Sequence, residues 1–169
     1  MIRMIAIGCA AAVALVALAA HAADLDLDKI AGVYVNRFTN ADITGRHFPG
    51  ADVLELVKAS PTAVFFRTHL DFFNGHECQL SGIAEMTGSS LVYRAPAHEC
   101  ELHIDVADGK LIFDDKDYHC REQSCGMRGG YSGVAFALKS RRPTADIAKL
   151  KASDDYVEAL KEYEALQQH

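Results

Sequence analysis

Residues 101–114 read E-L-H-I-D-V-A-D-G-K-L-I-F-D, and this stretch predicts a β-hairpin. Apolar and polar residues alternate on both sides of Asp108-Gly109, as they do in half-buried strands. The Asp-Gly dipeptide is typical of a two-residue hairpin turn, because both of its residues tolerate positive φ angles. We therefore expect Glu101–Asp105 and Lys110–Asp114 to be neighbouring antiparallel strands.

The same alternation, interrupted by turn signals at short intervals, continues through residues 30–140. It predicts about eight short strands. Short connections favour a mainly β fold, a small antiparallel up-and-down barrel or a sandwich, over an α/β fold. Besides the hairpin, the expected strands are Ala31–Arg37, Asp52–Lys58 (a strand or a short helix), Ala63–Asp71, His76–Met86, Ser90–Ala95 and Ser132–Lys139.

The last part of the chain, residues 141–169, has a different pattern. Arg141-Arg142-Pro143 interrupts the alternation and is expected to end the sheet, and Thr144 can cap a helix. We expect a β-domain of residues 23–140 and a C-terminal α-helical segment docked on it, with an interaction helix for a partner as the alternative. The apolar residues that recur at helical spacing are Ile147, Leu150, Val157 and Leu160.

The N-terminal residues 1–22 have the composition of a secretory signal peptide. Arg3 provides a positive start, Met4–Ala20 carries no charge, and Ala20-His21-Ala22 places small residues at both recognition positions of a cleavage site. A retained membrane anchor is disfavoured by the Ala-rich run and by the cleavage site directly after it. We expect cleavage before Ala23, a periplasmic or secreted protein, and no membrane span after cleavage.

Charge narrows the choice of partner. The chain has 17 Lys and Arg residues against 23 Asp and Glu, which gives a formal net charge of −6. Proteins bind nucleic acids largely by neutralising phosphates with basic side chains, so an acidic chain without a basic stripe is a poor nucleic-acid binder. An acidic surface attracts a cationic partner instead. We therefore expect a protein partner and no nucleic acid.

Four cysteines follow the expected signal peptide: Cys78, Cys100, Cys120 and Cys125. An even number of cysteines in an exported chain predicts disulfides. If a hairpin turns at Gly88-Ser89, Cys78 and Cys100 face each other on neighbouring strands, so we favour the pairs Cys78–Cys100 and Cys120–Cys125. The sequence leaves an exchange of partners open.

The most distinctive segment is Cys120–Gly133, C-R-E-Q-S-C-G-M-R-G-G-Y-S-G. A disulfide at its base and several glycines predict a pre-organised loop, which loses little entropy on docking. Arginine and tyrosine are frequent in protein-binding hot spots. The alternative is a structural glycine-rich corner in which Arg128 bonds to carbonyl groups. The expected partner-binding residues are Arg121, Arg128, Tyr131 and Ser132.

Histidines suggest a second kind of site. His76 and Cys78 share one strand face, and so do His98 and Cys100, which would suit a tetrahedral zinc site. Cysteines of an exported protein usually oxidise, however, and a disulfide provides no thiolate. We therefore expect no metal and no cofactor, with His76 and His98 as alternative ligands.

Motifs for nucleophilic catalysis are also missing from the sequence. The segment Gly130-Tyr131-Ser132-Gly133 lacks the spacing of G-x-S-x-G, in which one more residue separates the serine from the second glycine. We therefore expect a protein that is not an enzyme and has no catalytic residues.

A Gly-x-Tyr first strand, paired cysteines in a hairpin and the loop C-x4-C-G-x-R-G together carry a family resemblance. Over Ala31–Lys139 the chain resembles small periplasmic proteins of Gram-negative bacteria, above all lysozyme inhibitors and periplasmic immunity proteins. The resemblance implies a binding protein that inserts a loop, here Cys120–Gly133, into the cleft of a cell-wall hydrolase. A lipocalin-like carrier of a small ligand is the alternative, with Gly32-Val33-Tyr34 opening the barrel.

Overall fold

The structure is a computed structural model that describes residues 25–168. In this range, eight antiparallel strands form one sheet in which each strand pairs with the next along the chain. The sheet curls into a nearly closed barrel, which confirms the mainly β prediction; the expected signal peptide lies outside the described residues. The strands are β1 (Gly32–Ala41), β2 (His47–Lys58), β3 (Ala63–Asp71), β4 (Glu77–Thr87), β5 (Ser90–Ala95), β6 (Cys100–Ala107), β7 (Lys110–Asp114) and β8 (Ala135–Ala137).

The first strand and the chain around β8 close the barrel. Val33 and Arg142 exchange two backbone hydrogen bonds, from Val33 N–H to Arg142 O (2.8 Å) and from Arg142 N–H to Val33 O (2.9 Å). Asn36 Nδ2 also donates to the carbonyl of Ala135 (2.9 Å). Polar groups at the two sheet edges are thereby paired with each other, which protects the edges from pairing with other chains.

The barrel interior is filled by one cluster of apolar side chains. Aromatic rings meet edge to face, with ring centroids 5.2 Å apart for Phe66 and Tyr93 and 6.1 Å apart for Phe113 and Phe136. A Cβ atom added at Gly82 would overlap the Tyr93 ring, so this glycine makes room for an aromatic side chain. Other fully buried members are Tyr34, Leu54, Leu56, Leu91, Leu102, Ile104 and Leu111.

Several strands differ from their expected limits; β1 continues to Ala41 and β6 to Ala107. Asp52–Lys58 belongs to a strand, but β2 begins earlier, at His47, because the chain folds back on β1 in a long hairpin. The carboxylate of Asp42 holds the tip of this hairpin, since it accepts the Arg46 backbone N–H (3.1 Å) and Arg46 Nε (3.0 Å). β8 is shorter than expected at both ends.

Helices lie outside the barrel. Their bounds are α1 (Leu27–Ile30), α2 (His119–Ser124), α3 (Ile147–Lys151) and α4 (Asp154–Leu166). The Ser153 side chain caps α4 by accepting the Tyr156 N–H (3.4 Å). Tyr156 then packs on Phe65 of the outer sheet face, with ring centroids 5.1 Å apart. Val57, Ala63, Ile83, Leu150 and Ala159 complete this second apolar cluster.

The expected apolar stripe of the C-terminal segment is only half right. Leu150 and Leu160 pack on the sheet, but Ile147 is 51% exposed and Val157 57% exposed. The reason is the break between α3 and α4, which changes the helical phase so that Tyr156 and Ala159 face the sheet instead. Asp146, and not Thr144, caps α3 by accepting the Lys149 N–H (2.9 Å).

The favoured disulfide pairing is wrong: the bonds join Cys78 to Cys125 and Cys100 to Cys120. The hairpin does turn at Gly88-Ser89, but the β4–β5 ladder ends at Ala84 and Tyr93. A turn at Pro96–His98 then reverses the chain, so Cys100 opens β6 one strand further from Cys78. Disulfides of this kind fit a protein that resides outside the cytoplasm.

Trypsin separates all four cysteines, because its sites place them in peptides 68–94, 95–110, 117–121 and 122–128. In a non-reducing digest analysed by mass spectrometry, we expect peptide 68–94 linked to 122–128, and peptide 95–110 linked to 117–121. A linked pair of 68–94 with 95–110 would contradict the structure. The reduced digest is the control, in which all four peptides must run separately.

Helix α4 offers a second test with neighbouring residues. Replacing Tyr156 by Ala empties the contact with Phe65 and should lower the free energy of unfolding by about 3 kcal/mol, as large-to-small changes of aromatic residues in cores do. Val157→Ala alters an exposed side chain and should change stability by less than about 0.5 kcal/mol. Urea unfolding curves measure both, and equal effects would show that α4 is not docked in this way.

Candidate functional site

Four connections meet at one end of the barrel, because strands of a meander reverse direction at every turn. They are residues 42–46, 72–76, 96–99 and 115–134, and we call this region the loop end. The longest of them, 115–134, contains α2. The two disulfides tie this connection to β4 through Cys78 and to β6 through Cys100. The loop end is therefore covalently braced.

The connection between β7 and β8 is organised around a buried carboxylate. Asp115 is 1% exposed, and its carboxylate oxygens accept the backbone N–H groups of Cys120 (3.4 Å) and Arg121 (2.9 Å) at the start of α2. The Ser132 hydroxyl closes the other side, since Oγ accepts the Asp115 N–H (3.0 Å) and donates to the Asp115 carbonyl (3.0 Å). Ser132 thus holds the loop together.

A tight turn, Gly126–Gly129, projects from this connection. The Gly129 N–H donates to Gly126 O (2.9 Å), and the Gly126 N–H donates to Glu77 O of β4 (2.8 Å). Arg121 braces the turn from α2, because its Nη2 donates to the Met127 carbonyl (2.9 Å). A Cβ atom at Gly129 would collide with the sulfur of Cys78, so only glycine lets the turn lie against the disulfide.

The turn presents an apolar and cationic surface. Met127 is 84% exposed at the tip, and Phe73 in the neighbouring connection is 40% exposed. The guanidinium carbon of Arg128 lies 5.5 Å from the centroid of the Phe73 ring, within the range of cation–π attraction. We call these three residues the turn patch. They provide the apolar and arginine side chains that are enriched at protein interfaces.

The four residues predicted to contact a partner lie in different environments. Arg128 lies in the turn patch, whereas Arg121 and Ser132 brace the loop. Tyr131 is fully buried, with its ring 6.2 Å from that of Phe113 and its hydroxyl 2.7 Å from Ser124 Oγ. Burial raises the pKa of the Tyr131 phenol. Tyr131 is therefore a core residue. Because it is fully buried, it does not contact a partner as predicted.

Sequence reasoning missed Phe73 and Met127. Phe73 lies in the connection just after the predicted strand Ala63–Asp71, and a single methionine next to a glycine carries no signal of its own. Phe73 lies near Arg128 only because the Cys78–Cys125 bond and the Gly126 N–H hold the two connections together. No local pattern in the sequence shows that approach.

The alternative zinc site of His76 and His98 finds little support in the geometry. Its two cysteines are bonded to other cysteines, Cys125 and Cys120. His76 packs beside Gly126, and His98 is exposed in the connection between β5 and β6. In residues 25–168 the only compact group of three potential metal ligands contains neither histidine.

We found no family model, no curated protein and no solved structure that matches this chain. Its class is therefore defined by fold and site: a disulfide-braced, eight-stranded up-and-down barrel with a filled interior and a projecting turn at one end. No helix in the described part of the chain has the length and apolar character needed to cross a lipid bilayer.

The buried Tyr131 and the exposed Arg128 should contribute differently to the free energy of unfolding, and this difference can be measured. Tyr131→Ala removes a buried aromatic side chain and should lower the free energy of unfolding by about 3–5 kcal/mol. Arg128→Ala removes an exposed cation–π contact and should lower it by no more than about 1 kcal/mol. Chemical denaturation of the oxidised protein measures both. The reverse order would show that Arg128, and not Tyr131, supports the fold.

Proposed function

We propose that this protein is a non-enzymatic binding protein, periplasmic or secreted, that inhibits a cell-wall hydrolase by placing the Gly126–Gly129 turn in the enzyme's cleft. The observation that carries the proposal is the turn patch: Met127 and Arg128 project beside Phe73 on a turn anchored at its base by the Cys78–Cys125 bond. The sequence resemblance to periplasmic lysozyme inhibitors and immunity proteins points to the same mode of action.

Rigidity supports this use of the turn. Three hydrogen bonds and a disulfide hold its backbone before any partner arrives. A surface that is already ordered loses less conformational entropy on binding. The turn therefore has the properties of an inhibitor loop, in which a short protruding segment contributes most of the affinity.

The composition of the turn patch supports a protein partner. Met127 and Phe73 offer apolar area, and Arg128 offers hydrogen-bond donors for a carboxylate. Hydrolases that cleave polysaccharides use paired carboxylates in their clefts, so an arginine at the tip of the turn would be attracted to such a site. The net charge of −6 of the whole chain would steer a cationic hydrolase toward it.

The filled interior favours a surface function over the lipocalin-like alternative. A carrier needs an apolar cavity of at least roughly 300 Å3, whereas here the inward positions of all eight described strands contribute to one packed cluster that includes Phe66, Phe113 and Phe136. Binding through an exposed loop needs no such cavity.

The proposal predicts that three single variants of the turn patch lose binding while they remain folded. A panel of lysozymes and peptidoglycan amidases would be assayed by clearance of a cell-wall suspension, with affinity measured by biolayer interferometry. Phe73→Ala, Met127→Ala and Arg128→Ala should each weaken binding to the inhibited enzyme. At the central anchors the loss should exceed about tenfold, or roughly 1.4 kcal/mol.

The matched control is Val157→Ala, which truncates an apolar side chain of similar exposure on α4, on the outside of the barrel. It should leave affinity unchanged, and melting temperatures should stay close to that of the parent protein for all four variants. Failure to bind any hydrolase in the panel, or full affinity in all three turn-patch variants, would contradict the proposal.

A further inference from the structure

A compact group of three side chains lies on the outer face of β3 and β4, apart from the turn patch. His69 and Asp71 are two residues apart on β3 and therefore point to the same side, and Glu77 of β4 lies directly opposite Asp71. One nitrogen of His69 and one oxygen each of Asp71 and Glu77 all lie within 4.8 Å of one another. Nitrogen and oxygen ligands are thus already gathered at one point.

The charges in this group are not balanced by the protein. Like charges directly opposite each other on neighbouring strands destabilise a sheet, and Asp71 and Glu77 form such a pair. Within residues 25–168, the only basic group that lies 4.0 Å or less from either carboxylate is His69, at 3.0 Å from Asp71 and 4.0 Å from Glu77. No lysine or arginine in that range neutralises the pair.

A further carboxylate increases the negative charge. Asp52 of β2 accepts the Asp71 backbone N–H at Oδ1 (3.1 Å), so it lies beside the group, and no lysine or arginine between residues 25 and 168 forms an ion pair with it. The next charged cluster on the same face differs because its carboxylates are neutralised: Arg67 bonds to both Glu55 (2.8 Å) and Asp155 (3.1 Å). The group around His69 has no such lysine or arginine partner among the described residues.

The carboxylates are also held in place. Asp71 Oδ2 accepts the Ala51 N–H (2.7 Å), and Gln79 Nε2 donates to Glu77 Oε2 (3.0 Å). The Glu77 carbonyl accepts the Gly126 N–H (2.8 Å), and the next residue, Cys78, is in a disulfide. Groups that orient metal ligands in this way raise the affinity of a site, because less freedom is lost on binding.

We propose that His69, Asp71 and Glu77 bind one zinc ion, with water in the fourth position. Zinc accepts imidazole and carboxylate ligands in a tetrahedral arrangement, whereas calcium and magnesium prefer sites built from oxygen alone. The side chains are 25–48% exposed, so the ion can enter from solvent and exchange. The site does not depend on the proposed inhibitory function.

The protein contains a matched control for this site. On β6, His103 contacts Glu101 (2.7 Å) with the same two-residue spacing, but there Arg94 neutralises Glu101 (2.8 Å). Asp114 lies opposite His103 on β7 but does not form a compact group of three ligands with it and Glu101. A histidine–carboxylate pair alone is therefore present at both places. Among residues 25–168, only the group around His69 brings a second carboxylate within 4.8 Å of such a pair.

Isothermal titration of the tag-free, disulfide-bonded protein with zinc chloride tests the proposal. We expect saturable binding of one zinc ion per chain. His69→Gln, Asp71→Asn and Glu77→Gln should each reduce zinc affinity by at least about tenfold, since loss of groups that merely orient ligands already costs that much. His103→Gln should leave zinc affinity unchanged, and excess calcium or magnesium should not displace zinc.

The opposite results are equally clear. Heats indistinguishable from buffer would overturn the proposal, and so would zinc binding that persists in His69→Gln or that His76→Gln or His98→Gln abolishes. Circular dichroism and melting temperatures of every variant verify folding, which these substitutions of partly exposed side chains should preserve. The titration uses zinc alone, so its outcome is independent of whether a hydrolase partner exists.

Discussion

Two nested disulfide bonds at one end of the barrel determine most of what is distinctive in this protein. The Cys78–Cys125 and Cys100–Cys120 bonds fasten a long connection to two strands, β4 and β6, that are not neighbours in the sheet. The bonds hold this connection at Cys120 and Cys125, within and directly after α2, so α2 is fastened to both strands. Tyr131 enters the core, and the Gly126–Gly129 turn projects to solvent.

The outer face of the sheet is divided by the position of α4. At one end the helix covers apolar residues such as Phe65, and Arg67 marks the boundary by bonding to Asp155 of that helix. Beyond the boundary the face is open, and polar residues line it up to the loop end. The group around His69 lies in this open part, where its carboxylates are reachable from solvent and short of positive charge.

Local patterns in the sequence were sufficient to predict the strands. Apolar alternation placed β3 at its observed limits and β5 as well, because a half-buried strand imposes a period of two on its side chains. Turn chemistry at Asp108-Gly109 placed the hairpin of β6 and β7. The long β1–β2 hairpin was only partly predicted, because its outer half extends past the core and has no apolar period to reveal it.

The candidate sites could be predicted much less well. Cysteine pairing depends on where a ladder ends, and the turn at Pro96–His98 decides that for Cys100. The burial of Tyr131 depends on its packing against Phe113 and its hydrogen bond with Ser124. The turn patch depends on an approach between Phe73 and Arg128, which are far apart in the chain. None of these three long-range contacts produces a pattern in the neighbouring sequence from which it could be predicted.

The sequence by itself determined the β class, the positions of most strands and the presence of a C-terminal helix, since each follows from periodicity and turn chemistry over a few residues. Only the tertiary structure decided which cysteines bond, which loop residues are exposed and which carboxylates lie opposite one another. Those outcomes depend on strand register and on long-range closure of the barrel, and a one-residue change in register changes every partner.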